Sequence, residues 1–456
     1  MPKRLYAKTA LLKTGWASDV CMDIDGNGMI LAIEKDASDA GAEQMSGPVI
    51  AGMTNLHSHA FQRVMAGMAE RRGATTDSFW TWRDIMYKLV AKLNPDEMEA
   101  VALRLYVECL KRGYTGVCEF HYVHHQANGR AYDNRAETSL AIMNAAKRAG
   151  IALSHLPVLY SYSGFGSQPL GEAQKRFGND VAGILDIIDI CKKNAAAHPN
   201  ISVGIALHSL RAVDKANMLT ALADMDTASP KHIHIAEQMK EVKDCMKWSG
   251  MRPVEWLFDN VEVDNSWCLI HATHLSDDEC DAIAKSGAVA GLCPTTEGNL
   301  GDGLFPLDRY LKAGGRIGIG SDSHVSQCPV EELRLLEYGQ RLHHQRRNIA
   351  TTETTPSVGQ FLWESAAIGG AQAANRDCGI IEVGKQADLV VLDGDNVNLA
   401  GRTKDMILDS LIFAGNDNLV KDVMVGGNWV VKDGQHTLDQ ESAAAFKKVV
   451  ATVKDD

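Results

Sequence analysis

Along the middle of the chain, short apolar runs alternate with longer stretches in which apolar residues recur every three or four positions. The runs at residues 49–55, 116–120, 152–159, 202–207, 232–235, 268–270, 288–292 and 316–319 are of strand length. Between them lie segments with helical periodicity, such as 95–111 and 133–149. Strand and helix alternation of this kind predicts a parallel sheet. Eight such units fit an α/β (β/α)8 TIM barrel, in which chemistry sits at the C-terminal ends of the strands. The rival is an open doubly wound sheet, but no Gly-x-Gly-x-x-Gly follows a strand at the start.

The two ends have another texture. Residues 1–50 read as short strands and turns, punctuated by Asp25-Gly26-Asn27-Gly28, and similar apolar runs bounded by Gly and Asp return at 384–393 and 423–431. The expected organisation is therefore a barrel over residues 51–377 and a small β-sandwich domain assembled from residues 1–50 and 378–456. At 456 residues the chain has room for both, since a barrel is complete at roughly 250. A net charge of -12 argues against a nucleic-acid partner, because neutralising phosphates needs an excess of Lys and Arg. The ten cysteines form no Cys-x-x-Cys pair, and no apolar run approaches the length of a membrane span. A reduced, cytoplasmic setting with no membrane contact is the expectation.

Candidate chemistry appears at the ends of the strand runs. After the first stands Asn55-Leu56-His57-Ser58-His59, and residues two apart in extended chain point to one side, so both imidazoles can face one ion. After the fifth run comes His234-Ile235-Ala236-Glu237, after the sixth His271, and after the eighth Ser321-Asp322. Taken singly, His271 could be a core histidine and Asp322 a helix N-cap. Four strand ends converging on one barrel mouth point instead to a metal site.

These residues, with Gly52-Met53-Thr54 before them, resemble the amidohydrolase superfamily, and residues 384–393 resemble its composite β-sandwich. The resemblance implies one divalent metal ion, zinc by default, held by His57, His59, His234 and Asp322. His232 shares a face with His234, but only His234 has Glu237 at the His-x-x-Glu spacing of the family's deaminases. No lysine ends the fourth strand, where Leu207-His208-Ser209-Leu210-Arg211 stands, so a two-metal site bridged by a carbamylated lysine is disfavoured. The implied catalytic residues are Asp322, taking a proton from metal-activated water, His271, stabilising the intermediate, and Glu237, passing protons to the leaving nitrogen.

Residues 55–63, Ser78-Phe79-Trp80-Thr81-Trp82-Arg83-Asp84 and Glu119-Phe120-His121-Tyr122 are similar to the formimidoylglutamate deiminases of histidine degradation. That resemblance implies hydrolysis of N-formimino-L-glutamate to N-formyl-L-glutamate and ammonia, and a homodimer. A small dicarboxylate substrate calls for cations and hydrogen-bond donors, and the candidates are Gln62, Arg83, Tyr122, His208 and Arg211. Arg83 could instead be a surface ion-pair partner and Tyr122 core packing. His121, His124 and His125 are expected in an exposed polar loop, and Trp80 and Trp82 are expected to pack rather than bind. The competing activity is that of a guanine-type or other aryl-amine deaminase with the same metal site and a more aromatic pocket. A second competitor, a silent barrel with a structural metal, has no use for Glu237 and His271 beside the ion.

Overall fold

The computed structural model describes residues 3–70 and 79–454. Ser78 lies outside these residues, as do the side chains of Phe79, Trp80 and Thr81.

Eight parallel strands follow one another in chain order: Met53–Ser58, Tyr114–His121, Ala152–Leu159, Ile205–Ser209, Lys231–Ile235, Trp267–His271, Val289–Leu292 and Arg316–Ile319. Nearly every residue in them is buried, as expected of strands covered by helices outside and by side-chain layers inside. The eighth strand closes onto the first just past its end. The Asp322 N–H donates to the His57 carbonyl at 3.0 Å, and the His59 N–H donates to the Asp322 carbonyl at 3.3 Å. Two of the expected strands are divided in the structure. Residues 49–55 split at Gly52, where a Cβ would stand 2.2 Å from Thr115 Cγ2, and residues 202–207 split at Gly204, whose N–H turns to the His155 carbonyl.

The first half of the divided strand, Val49–Ala51, belongs to a second sheet. There it pairs antiparallel with Leu389–Leu392 and bridges in parallel to Lys3–Leu12. The sheet runs from Asn428–Val431 through Val420–Val425 to these three strands, then to Gly15–Ile24 and Ile30–Glu34, with Glu43–Met45 beside Lys3–Leu12. Chain from both termini thus builds the small domain. Its strands alternate between two cores: Val49, Ala51, Leu389 and Val391 face the sheet's own core, while Ile50 and Val390 join the barrel's.

Chain after the eighth strand closes the bottom of the barrel. Helix Val358–Ala373 ends there, with the Ala373 carbonyl bonded to His232 Nε2 at 2.9 Å and the Ala374 carbonyl accepting from Ser154 Oγ at 2.8 Å. Buried Arg376 then pairs with Asp388 of the small domain at 2.7 Å. Solvent access to the barrel interior is therefore from the C-terminal ends of the strands. The last helix, Asp439–Lys454, lies on barrel helix Pro95–Lys111, where Asp439 pairs with Arg104 at 2.7 Å and Lys111 at 2.5 Å.

Candidate active site

His57 and His59 leave the first strand side by side, and their inward aim depends on close approach of the eighth. At Gly320 a Cβ would fall 2.7 Å from His57 Cβ, so only glycine admits this spacing. Asn55 reinforces the seam, donating to Ser321 Oγ at 3.2 Å and accepting the Ser321 N–H at 2.9 Å. Backbone carbonyls orient two of the rings. His59 Nδ1 donates to the Phe120 carbonyl at 2.8 Å, and His234 Nδ1 donates to the His208 carbonyl at 2.9 Å, leaving both Nε2 lone pairs turned to the centre.

There the electron-rich atoms converge. His234 Nε2 is 3.0 Å from His57 Nε2, and Asp322 Oδ1 lies 3.5 Å from His57 Nε2 and 3.3 Å from His59 Nε2. Burial lowers the pKa of all three imidazoles, so they stand neutral, with further lowering from neighbouring histidines at His57 and His234. Neutral lone pairs packed this tightly against a carboxylate repel one another without a cation among them. The donor set, three imidazole nitrogens and a carboxylate oxygen, fits one divalent ion.

His232 shares the strand face with His234 but sits one layer lower, bonded to the barrel floor, and takes no part in this cluster. Asp322 caps no helix: the next one, Pro329–His344, has Cys328 at its N-cap. It sits instead at φ 46°, and Ala236, His271, Ala272 and His324 also hold left-handed backbone at 47–67°. Strain gathered in this way at strand ends marks a functional mouth.

Beside the ligands, His271 Nε2 lies 3.7 Å from Asp322 Oδ2 and 3.9 Å from Glu237 Oε1. Burial pushes the Glu237 carboxyl up to about 7, against the pull of His271. Burial opposes charge on His271, but Glu237, Glu297 and Asp322 outweigh it and raise that imidazole to about 10. Glu237 and His271 thus stand as neighbouring acid and imidazole, with the imidazole holding its proton at neutral pH.

The cavity above is lined by His59, His234, Asp322, Glu237 and His271, and also by Gln62, Arg83, Tyr122, His208 and Arg211. Gln62 Nε2 donates to the Tyr122 hydroxyl at 2.9 Å. Arg83 lies 5.5 Å from the Tyr87 ring centre, facing the cavity rather than serving only as a surface charge. Trp82 both packs on the core and lines the cavity. Tyr87, Tyr160 and Phe177 complete the wall. Tyr160 directly follows the third strand, so the strand-end test would have found it had it been extended beyond His and Asp.

One expectation fails. His121 and His124 are buried and His125 half-buried, not exposed, because each ring finds an acceptor: Thr138 Oγ1 at 3.1 Å, the Val158 carbonyl at 3.0 Å and the Gly178 carbonyl at 2.7 Å.

A cluster of side chains that could hold a metal ion at the mouth of a parallel barrel, with an acid and an imidazole beside it, fits a metal-dependent hydrolase. The amidohydrolase family model matches residues 49–430, and the chain belongs to that family. A model described as the N-terminal domain of formimidoylglutamate deiminase HutF matches residues 3–47. The chain is 52% identical to the formimidoylglutamate deiminase of Pseudomonas aeruginosa over 99% of each sequence. Among solved structures, an amidohydrolase from Brucella melitensis superposes with a TM-score of 0.94 at 46% identity, covering 99% of both chains. An adenosine deaminase from Xanthomonas campestris with bound zinc shares the fold at 20% identity, with a TM-score of 0.80 over 99% of this chain and 98% of its own.

Proposed function

We propose that the chain hydrolyses N-formimino-L-glutamate to N-formyl-L-glutamate and ammonia, a step of histidine degradation. The observation that carries this reading is a single cavity lined at once by His59, His234 and Asp322, by Glu237 and His271, and by Arg83 and Arg211. Two guanidinium groups match two carboxylates, and the acid pair matches a leaving nitrogen that must depart as a neutral amine.

His57, His59, His234 and Asp322 would hold one zinc ion, which when bound supplies the Lewis acidity that makes water nucleophilic near neutral pH. Water adds to the formimino carbon, and Asp322 accepts its proton. Glu237 gives a proton to the imino nitrogen, takes the proton of the new hydroxyl and passes it to the same nitrogen, and is then reprotonated by Asp322. His271 stabilises charge on the oxygen as the carbon becomes tetrahedral. Collapse to the formyl carbonyl breaks the bond to nitrogen, and ammonia leaves. Arg211 and Arg83 hold the carboxylates, with Gln62, Tyr122 and His208 as further hydrogen-bonding partners.

An ammonia-release assay across N-formimino-L-glutamate, N-formimino-L-aspartate and guanine tests this. Turnover concentrated on the formimino acids is expected, whereas preference for guanine would replace the reading with an aryl-amine deaminase.

A further inference from the structure

His271 lines the cavity, but its other nitrogen faces away from it. There Glu297 Oε1 lies 3.3 Å from His271 Nδ1 and accepts the Cys293 backbone N–H at 2.8 Å. Glu297 is 5% exposed and belongs to the short helix Pro294–Leu300, directly after the seventh strand. His271 itself holds φ 67° and the next residue, Ala272, 47°, so the strand has already left regular geometry where the ring must be aimed. An imidazole on such a turn needs a side-chain partner to fix its rotation.

We propose that Glu297 is a positioning residue: it holds the Nδ1–H of His271 and so presents Nε2 to Glu237 and Asp322. Neither Glu237 nor Asp322 approaches Nε2 closer than 3.7 Å, and neither can set the ring alone. The same segment also reaches the residue that follows Glu237. The Asp302 N–H donates to the Glu297 carbonyl at 2.9 Å, and Asp302 accepts from the side chain of Gln238, the residue after Glu237. The stretch after the seventh strand thus frames both members of the proton-transfer pair. It contributes no metal ligand to the four described above.

The competing role is purely local. Glu297 could serve only to cap its own helix through the Cys293 N–H. Two variants separate the roles, since Glu297→Gln keeps an acceptor oxygen and Glu297→Leu has none. In Glu297→Leu, kcat is expected to fall about 10–100-fold while KM stays within about twofold and bound metal matches wild type. Glu297→Gln should recover most of the loss. Nitrogen-15 NMR of histidine-labelled enzyme without substrate, assigned by loss of the signal in His271→Asn, should show a protonated Nδ1 in wild type. That signature should be lost in Glu297→Leu.

The inference rests on the proposed function, but the two fail separately. Wild-type ammonia release tests the function, whereas the ratio of variant to wild type and the substrate-free spectrum test Glu297. Unchanged kcat in Glu297→Leu, loss of metal in its place, or an unprotonated Nδ1 in wild type would each overturn the assignment. The last of these needs no variant to fold.

Discussion

At the proposed metal end of the cavity, every candidate ligand stands on a barrel strand or within three residues of one, and backbone carbonyls hold the rings of His59 and His234. At the proposed substrate wall, Arg83 and Tyr87 stand on helix Phe79–Val90 and Gln62 on the short helix Ala60–Met65, while Tyr122 and Arg211 occupy loops. The first group is fixed by barrel backbone, through ring-to-carbonyl bonds at His59 and His234 and through the seam of the first and eighth strands at His57 and Asp322. The second depends on elements laid over its mouth, which can change without disturbing the strands. One scaffold can thus keep its hydrolytic chemistry while the wall chooses the substrate.

If that contrast holds, damage at the metal end should remove turnover, and damage at the wall should weaken binding. Asp322→Asn should have the largest effect, lowering kcat about 10⁴-fold in steady-state ammonia release, because it removes both a proton acceptor and an anionic ligand. Glu237→Gln should lower kcat about 10²–10³-fold with metal content unchanged by elemental analysis, since Glu237 is not a ligand. Arg211→Met should act chiefly on KM, raising it about 10–100-fold, as expected for losing a charged hydrogen bond of about 1.5–3 kcal/mol. Should Arg211→Met lower kcat more than Glu237→Gln does, the division between the two ends would be wrong.

The same contrast explains what could be read in the chain. Strand 152–159 and helix 95–111 were legible end to end: the strand is a mainly apolar run interrupted only by Ser154 and His155, and the helix opens with Pro95 and a capping box from Asn94 to Glu97. The convergence of His57, His59, His234 and Asp322 was legible because His and Asp at strand ends have few other reasons to recur. The wall was reached only through resemblance, since Arg83, Gln62 and Tyr122 follow no periodicity. His121, His124 and His125 were misread because a polar cluster after a strand looks solvated, and their acceptors come from chain 17 to 53 residues away. The division of 49–55 between two sheets was hidden for a related reason. Both halves are buried throughout, and only the crowding of Gly52 against Thr115 shows where the chain changes sheet. Glu297 carried no pattern at all, as its partner lies 26 residues earlier in the chain.

The central claim is that metal-end residues direct water to the formimino carbon and expel ammonia. It is tested most directly by identifying the products of N-formimino-L-glutamate hydrolysis while metal is titrated into chelated enzyme. N-formyl-L-glutamate and ammonia should form in equal amounts, with the rate rising in proportion to metal and levelling at one ion per chain. Formamide and glutamate as products, or a rate indifferent to metal, would contradict the account.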